Sequence, residues 1–456
     1  MLKIYNSFTA QKEIFKPIKA KHISLYVCGI TVYDYCHLGH ARVFVCFDTI
    51  VRYLRSREWD VTYIRNITDV DDKIIKRAAE RDESIEVLTG YFIEAMHEDE
   101  RALKVLSPTK EPRATQHIQT MIDMIQKLES RGVAYQGENG DLFFSVEKYQ
   151  TYGALSKRDL SELKSGSRVE IDFNKRNPLD FVLWKQAKEG ETSWPSPWGM
   201  GRPGWHIECS AMSTKCLGHT FDIHGGGHDL LFPHHENERA QSECATGETF
   251  VNTWMHVGFV QVDKEKMSKS LNNFFTIRDV LKEYEPEAVR YFLIAGHYRS
   301  PINYSTQQLT HAKAALDRLY TAIRGLNLVV PKMETIYHKR FYEAMDDDFN
   351  TPDALAVLFD LAHEINTLKD QNRESASEKA GILQALAQSL GLLSQDPESY
   401  FQGDLRFEAI EALVAEREAA RKAKDWERAD TIRDQLKAQG VILEDTANGI
   451  SWRKVQ

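Results

Sequence analysis

The chain has 456 residues and carries 58 Lys and Arg against 67 Asp and Glu, for a net charge of −9. This balance excludes binding of nucleic acid through a global positive field, so any RNA contact must come from a local basic surface. No apolar run approaches the roughly 20 residues that span a bilayer, and the N-terminus lacks the profile of a signal peptide. We therefore expect a cytoplasmic protein with no membrane contact. Six cysteines without a Cys-x-x-Cys pair favour free or metal-bound thiols over a disulfide framework.

The first 115 residues alternate between strand-like and helix-like segments. An apolar run over Ile23–Cys28 predicts a buried strand, and Asp60–Arg65 predicts the next parallel strand. His37-Leu-Gly-His40 follows the first strand, at a helix N-terminus whose free N–H groups attract anions. Its two imidazoles lie on one face of a helical turn. Taken alone, the pair fits a phosphate site and also fits two surface histidines.

Other acidic and thiol side chains have simpler interpretations. Asp69, Asp71 and Asp72 suit a divalent cation, but we interpret them as capping carboxylates at a solvated helix start. The cysteines in apolar or helical contexts are interpreted as packing residues: Cys36, Cys46, Cys216 and Cys244.

The pattern changes after residue 115. Ile118–Arg131 has a helical period, Ala134–Ser145 predicts a hairpin, and a loop rich in proline, tryptophan and glycine follows over Trp194–Gly204. We interpret this segment as an insertion.

A candidate metal site lies among the histidines that cluster between His206 and His256. On the predicted helix that starts at Pro233, His234 and Glu238 are four residues apart and share a face, which suits two ligands of one ion. Cys28 and Cys209 come from distant apolar stretches, and from spacing alone Cys28 is more often a buried core thiol.

Lys266-Met-Ser-Lys-Ser270 lies on a short polar segment. Two lysines and two hydroxyls suit closure over a polyphosphate, and the alternative is a solvated charged loop. Helical periodicity dominates from Pro286 onward. Near the C-terminus, Arg417, Arg421 and Lys424 recur on one helical face, which fits either RNA contact or a solvated helix.

The two signatures, His37–His40 and Lys266–Ser270, resemble the HIGH and KMSKS motifs of class I aminoacyl-tRNA synthetases, with leucine in place of the isoleucine of the first motif. Further stretches resemble those of cysteinyl-tRNA synthetases: Tyr26–Asp34, Asn66–Lys73, Gly204–Met212, Ile223–Asp229 and Phe232–Glu238. They cover the catalytic two-thirds of the chain.

The resemblance implies an α/β fold: a Rossmann-like parallel sheet with an insertion, then an all-α helical bundle and a small C-terminal domain. The expected boundaries are a catalytic domain over 1–115 and 200–250, a connective insertion over 116–199, a connecting segment with the KMSKS loop over 251–309, a helical bundle over 310–394, and an anticodon-binding domain over 395–456. In that last domain Trp426 and Trp452 are candidates for stacking on unpaired anticodon bases.

The resemblance also implies the activity: cysteine is activated with ATP and transferred to the 3′ end of tRNA(Cys) by a monomeric enzyme that uses Mg²⁺ with ATP and one zinc ion per chain. The implied residues are His37, His40, Lys266 and Lys269 for ATP binding and catalysis, Cys28, Cys209, His234 and Glu238 for zinc, and Gly29, Thr31, Thr68, Trp205 and His224 for the substrate. We expect zinc, rather than a second editing site, to reject serine, because a thiolate is a far better zinc ligand than a hydroxyl.

Two alternative functions are compatible with the sequence. A ligase that joins cysteine to an amino sugar would use the same adenylate and the same zinc, but it needs no anticodon reader. A non-catalytic tRNA-binding or zinc-storing relative has no reason to keep His37, His40, Lys266 and Lys269. ATP–pyrophosphate exchange separates enzyme from binder, and charging of tRNA separates synthetase from ligase.

Overall fold

The structure is a computed structural model that describes residues 1–158, 174–188, 190–262, 265–267, 274–329, 334–402, 407–446 and 449–454. The chain divides into two units, Met1–Lys313 with Phe341–Ala354 and Ala314–Arg340 with Leu355–Gln456. None of the helices in the described ranges combines the length and the apolarity that crossing a bilayer requires.

The first unit is mixed α/β. Its strands are β1 (Lys3–Asn6), β2 (Gln11–Ile14), β3 (His22–Thr31), β4 (Asp60–Thr68), β5 (Ala134–Gln136), β6 (Leu142–Phe144), β7 (Phe181–Gln186), β8 (Gly201–Pro203), β9 (Phe221–Gly227), β10 (Val251–Val257), β11 (Val260–Val262), β12 (Glu265–Lys266) and β13 (Ile302–Tyr304). Its helices are α1 (Leu38–Ser56), α2 (Asp72–Arg81), α3 (Ile85–Ala102), α4 (Ile118–Ser130), α5 (Trp205–Leu217), α6 (Glu236–Thr246), α7 (Ile277–Leu281) and α8 (Pro286–Ala295).

A four-stranded parallel sheet forms the centre of this unit, in the order β10-β9-β3-β4. The strands predicted over Ile23–Cys28 and Asp60–Arg65 are confirmed as β3 and β4, and most of their residues are buried. Leu25 of β3 pairs with Tyr63 of β4 on one side and with Ile223 of β9 on the other. Because the chain leaves β3 and β9 towards opposite edges of the sheet, a crevice opens at the carboxyl ends of these two strands.

Helix α1 follows β3, and most of its side chains are buried. A Cβ on Gly225 of β9 would lie 2.2 Å from the Phe47 ring of α1, so only glycine permits this close approach. Asp48, buried in the middle of α1, forms ion pairs with Arg52 at 2.7 Å and with Arg290 of α8. These partners neutralise a carboxylate that would otherwise be costly to bury.

Within the predicted insertion, 116–199, β5, β6 and β7 form a separate antiparallel sheet, and β8, which lies beyond the predicted boundary, extends it in the order β5-β6-β7-β8. The helix predicted over Ile118–Arg131 is confirmed as α4, and the hairpin predicted over Ala134–Ser145 as β5 and β6. Trp184 of β7 and Leu142 of β6 share one hydrophobic core with α4 and with Met212 of α5. The insertion therefore packs directly onto the helix that carries Cys209.

The second unit is helical in its described residues apart from one hairpin. It contains parts of α9 (Thr306–Ile323), α10 (Ile336–Asp346) and α11 (Thr351–Leu368), and all of α12 (Arg373–Gln388), α13 (Pro397–Gln402), α14 (Phe407–Lys422), α15 (Trp426–Ala438), β14 (Val441–Thr446) and β15 (Gly449–Lys454). Trp452 is 1% exposed and packs with Ile410, Ile432 and Leu436 in a small core. The prediction that Trp452 stacks on unpaired bases is therefore wrong, whereas Trp426 is 59% exposed.

Two further predictions are corrected. Lys424 has a φ of +62° and lies beyond the end of α14, so it does not continue the helical face of Arg417 and Arg421. Asp69 is 5% exposed rather than solvated, and its carboxylate accepts hydrogen bonds from Thr115 N at 2.9 Å and Thr115 Oγ1 at 2.6 Å. Asp71 does cap α2, as predicted, by accepting from Lys73 N at 2.8 Å.

Candidate active site and metal centre

A pocket of about 530 Å³ lies at the carboxyl ends of β3 and β9. One wall comes from the end of β3 and the turn into α1, and includes Gly29 and His37. The opposite wall comes from the turns after β9 and β10, and includes Gly227 and Gly258. The pocket therefore occupies the crevice that the strand order opens.

His37 and His40 line this pocket, with ring centroids 3.8 Å apart and ring planes at 24°. His37 is the N-cap of α1: its Nδ1 accepts a hydrogen bond from Gly39 N at 2.9 Å, and Nδ1 of His40 accepts from His37 N at 3.3 Å. Because each Nδ1 accepts, the neutral ring holds its proton on Nε2. Both rings thus present a donor at a helix N-terminus, where an anion is stabilised.

The second signature begins on a short strand. β12 pairs antiparallel with β11, and Met267, which follows it, is buried and lines the pocket. Lys269 and the side chain of Lys266 lie outside the described residues. The phosphate contacts of the two lysines therefore stay predictions.

Cys28, Cys209, His234 and Glu238 converge in the structure, and Cys28 also lines the pocket. One ligand atom of each lies within 4.8 Å of those of the other three, and all four side chains are buried. Cys28 comes from β3, Cys209 from α5, Glu238 from the first turn of α6, and His234 from the turn before it. The fold thus brings together two thiols that the sequence separates by the whole insertion.

The donors of this cluster fit a zinc ion. Cys28 Sγ lies 3.2 Å from Glu238 Oε1. His234 Nε2 is buried and has no hydrogen-bond partner in the described part of the chain, although Glu238 Oε1 lies 3.0 Å away. A cation between them would explain an imidazole nitrogen that faces a carboxylate without a hydrogen bond. Two thiols, one imidazole and one carboxylate are a donor set that tetrahedral zinc accepts.

A second set of buried ligand atoms overlaps with the first and combines Cys28 and Glu238 with His224 and His235. His224 Nε2 lies 2.8 Å from Glu238 Oε2, whereas His235 Nε2 is 3.9 Å from Glu238 Oε1. Nδ1 of His235 is hydrogen bonded with His256 Nε2 at 2.8 Å. His224 therefore holds the second oxygen of Glu238, and His235 lies farther from Glu238 Oε1, at 3.9 Å, than His234 does, at 3.0 Å.

Burial and mutual contacts set the pKa values of the cluster. Burial raises the pKa of Cys28. Burial also opposes ionisation of Cys209, but its interactions with Cys28 and His234 lower its pKa to about 6. Burial lowers the pKa of His234, but Glu238 and Cys209 outweigh it and raise that pKa to about 10. The cluster thus favours anionic sulfur and carboxylate, and it attracts positive charge.

Three of the residues expected to bind the substrate line the pocket: Gly29, Thr31 and Trp205. Trp205 is 40% exposed, and its ring centroid lies 4.4 Å from that of His234. It therefore packs on this candidate metal cluster while one part of its ring stays accessible from the pocket.

The other two expected substrate residues, Thr68 and His224, are buried and do not line the pocket. His224 holds Glu238, as described above. Thr68 Oγ1 donates to Glu208 Oε2 at 3.0 Å, and Asn66 connects it to the pocket wall, because Asn66 Oδ1 accepts from Gly29 N at 2.9 Å. Neither residue contacts the pocket directly: Thr68 is connected to Gly29 through Asn66, and His224 is connected to Cys28 through Glu238.

The sequence patterns do not single out several residues that line the pocket, among them Asp229, Lys73 and Phe274. Asp229 follows the glycine run Gly225–Gly227 at the end of β9. A carboxylate two residues after such a run, at the carboxyl end of a parallel strand, is the signal by which it could have been found.

A third group of potential ligands, His97, Glu100 and Glu111, lies away from this pocket's lining. The guanidinium of Arg65 contacts Glu100 at 2.5 Å and Glu111 at 2.6 Å, and His97 Nε2 lies 2.6 Å from Glu111. Because Arg65 and His97 already pair with the two carboxylates, this group is an ion-pair network rather than a metal site.

Comparison with known proteins agrees with this geometry. Residues 14–314 match the class I (C) tRNA synthetase catalytic domain, residues 340–394 the DALR domain, and residues 407–453 the cysteinyl-tRNA ligase anticodon binding domain. A cysteine–tRNA ligase of Thioalkalivibrio sulfidiphilus is 60% identical over 100% of both chains, and one of Methylococcus capsulatus is 59% identical over 100% of both. The chain belongs to the cysteinyl-tRNA ligase family.

Solved structures of other class I synthetases share the fold of this cysteinyl-tRNA ligase family member. A methionyl-tRNA synthetase of Mycobacterium tuberculosis aligns with a TM-score of 0.59 at 14% identity, over 81% of this chain and 89% of that one. A LeuRS of Agrobacterium radiobacter aligns with a TM-score of 0.60 at 11% identity, over 84% of this chain and 85% of that one. The predicted α/β class, with a Rossmann-like parallel sheet followed by helical C-terminal segments, is therefore confirmed.

Proposed function

We propose that this chain activates cysteine with ATP and transfers it to the 3′ end of tRNA(Cys). The observation that carries the proposal is the position of the metal cluster. Cys28 lines the same pocket as His37 and His40, so one ligand can place a thiol at the cluster and a phosphate at the histidine pair. Cysteinyl-adenylate has both groups.

In the first step a carboxylate oxygen of cysteine attacks the α-phosphorus of ATP, and the bond to pyrophosphate breaks. His37 and His40 donate from Nε2 to the phosphates, and the N-terminus of α1 adds its dipole. We assign Lys266 and Lys269 to the charge that develops on the pyrophosphate side, with Mg²⁺ accompanying ATP. Catalysis then consists of positioning and charge stabilisation, because phosphate transfer needs little covalent chemistry from the protein.

Selection of the amino acid is assigned to the metal cluster. Cys28, Cys209, His234 and Glu238 would hold a zinc ion, which when bound supplies a Lewis acid that favours a thiolate over a hydroxyl. Trp205 packs on the cluster from the pocket side and shields it from water. Shape alone would distinguish cysteine from serine by no more than about a hundredfold.

In the second step a ribose hydroxyl of the terminal nucleotide attacks the carbonyl carbon of the adenylate, and AMP leaves. The match of residues 407–453 to an anticodon binding domain supports a contact between the second unit and the tRNA. The exposed Trp426 offers a face on which a base can stack.

The test combines two assays on the full chain. We expect ATP–pyrophosphate exchange with cysteine, very little with serine, and formation of cysteinyl-tRNA when tRNA(Cys) is added. Exchange without charging would favour an amino sugar ligase, and absence of exchange would overturn the proposal. When the metal is removed with a chelator, we expect the ratio of the exchange rate with serine to that with cysteine to rise.

A further inference from the structure

The segment after the lysine signature is hydrogen bonded to the turn that carries His37. Ile277 N donates to Cys36 O at 2.9 Å, and Leu38 N donates to Phe275 O at 3.1 Å. His37 and Thr276 are thus opposite each other in a short antiparallel bridge. Phe274 lines the pocket, and its ring centroid lies 5.0 Å from that of His37. We call residues 274–277 the bridging segment.

His37 is therefore held from two sides. Its helix cap fixes Nδ1, as described above, and the bridging segment fixes the backbone on either side of it. The bridging segment can hold His37 in place only if it is itself attached to a rigid element.

Arg278, the next residue, provides that attachment. Its Nη2 donates to Ala95 O at 2.9 Å and to Glu98 Oε2 at 2.6 Å, and its Nε lies 3.0 Å from Asp99 Oδ1. All three partners, the two hydrogen-bond acceptors and the ion-paired Asp99, belong to α3. The guanidinium carbon also lies 5.0 Å from the ring centroid of Tyr35, which lines the pocket.

These contacts differ from an ordinary surface ion pair, which stabilises little because both side chains move. The Arg278 side chain is 34% exposed and that of Asp99 only 3%. A planar guanidinium with two carboxylates, one carbonyl and one aromatic ring around it has a single defined orientation. Lysine cannot reproduce this pattern, because it presents a point charge.

We propose that Arg278 is a positioning residue for the activation step. By joining α3, Tyr35 and the bridging segment, it holds His37 in the orientation that donates to the phosphates of ATP. Arg278 is not part of the pocket wall, so it acts through Phe274 and the backbone around His37. The inference rests on the proposed function and adds to it a residue outside the two signatures.

The test uses a double variant, Arg278→Ala with Asp99→Asn, so that no buried carboxylate loses its cation. We expect kcat for ATP–pyrophosphate exchange to fall between about 10- and 100-fold and the KM for ATP to rise, as a displacement of about 1 Å at a reacting group does. The KM for cysteine and the bound zinc should stay within about twofold of wild type, because neither depends on His37. Arg278→Lys should recover only part of the loss.

Lys282→Ala is the matched control, since Lys282 follows α7 and pairs with the exposed Asp279 at 2.8 Å. It should exchange at the wild-type rate. Wild-type exchange rates in the double variant would overturn the inference, and so would equal rises in both KM values. A wild-type chain without cysteine-dependent exchange would overturn the proposed function itself, so the two failures are distinguishable.

Discussion

Glu238 Oε2 lies 2.8 Å from His224 Nε2, and both side chains are fully buried. The other oxygen, Oε1, faces Cys28 Sγ at 3.2 Å and His234 Nε2 at 3.0 Å. Burial raises the pKa of Glu238, but His224 and His234 outweigh it and hold that pKa well below its ordinary value. One carboxylate therefore joins a histidine anchor to the metal cluster.

The first prediction concerns this anchor. His224→Phe keeps a ring against Trp254, whose centroid lies 4.8 Å away, but removes the contact to Glu238. Loss of such a partner costs about 10- to 100-fold in metal affinity, because the ligand is no longer oriented. We expect this loss in chelator competition with the purified chain. His219→Ala, at an exposed histidine, is the control. Unchanged affinity would show that Glu238 is oriented by the fold alone.

The second prediction concerns the lysine signature. Lys269→Ala should slow adenylate formation by about two to three orders of magnitude, because one donor to transition-state charge is lost. The KM for cysteine should change little, since the lysine meets charge only as phosphate transfer proceeds. Pyrophosphate-exchange kinetics, with the concentrations of cysteine and ATP varied separately, give the kcat and KM values that test this prediction. A KM for cysteine that rises as much as kcat falls would contradict the assignment.

The third prediction compares two tryptophans of the second unit. Trp426 is 59% exposed and Trp452 is 1% exposed. Trp426→Ala should weaken tRNA charging by about 1–3 kcal/mol in kcat/KM, the range for one stacked base, and leave pyrophosphate exchange and Tm unchanged. Trp452→Ala should lower Tm, because it opens a cavity in the small core with Ile432 and Leu436. Full charging by the Trp426 variant would mean that no base stacks there.

The fourth prediction is a dependence of stability on pH. The hydrogen bond between His97 Nε2 and Glu111, at 2.6 Å, raises the pKa of His97. A raised folded-state pKa contributes stability that is fully present below the unfolded value of about 6.5 and is lost as pH rises through the folded value.

We therefore expect His97→Gln to lower the free energy of unfolding more at about pH 6 than at about pH 9. Urea titrations of both proteins at both pH values measure this. His311→Gln, at an exposed histidine, is the control. If the variant loses the same free energy of unfolding at both pH values, His97 stabilises the fold by packing and not by its charge.

Local patterns in the sequence predict the parts of this fold that depend on local physics. The helical period of α4 and the i, i+4 spacing of His234 and Glu238 are typical of helical turns, and the short apolar run of β3 between turn residues is typical of a buried strand. Burial that depends on contacts between residues far apart in the sequence leaves no such local pattern. Asp69 was expected in solvent, but Thr115, far along the chain, supplies its hydrogen bonds.

Dependence on contacts between distant segments also explains which residues of the candidate site the sequence does not predict. Nothing in the residues around Cys28 or Cys209 shows that the two sulfurs meet, since their approach depends on how β3 and α5 pack. No sequence pattern marks Arg278 or Asp229. Arg278 is recognised only by its contact with Asp99 of another helix, and Asp229 only by its place in the pocket wall. Spacing therefore identifies the two candidate ligands that lie four residues apart, and only the fold adds the other two.

The place of β9 in the sheet has a consequence for how the protein is made. β9 pairs with β3, but the ribosome synthesises it roughly 150 residues after β4, which takes about 8 to 30 seconds at 5–20 residues per second. During that time β3 has one open edge along Leu25–Val27, where a nascent chain can associate with another copy. The insertion must emerge beside this unfinished sheet, so the rate of translation sets the shortest time for which the edge of β3 stays open.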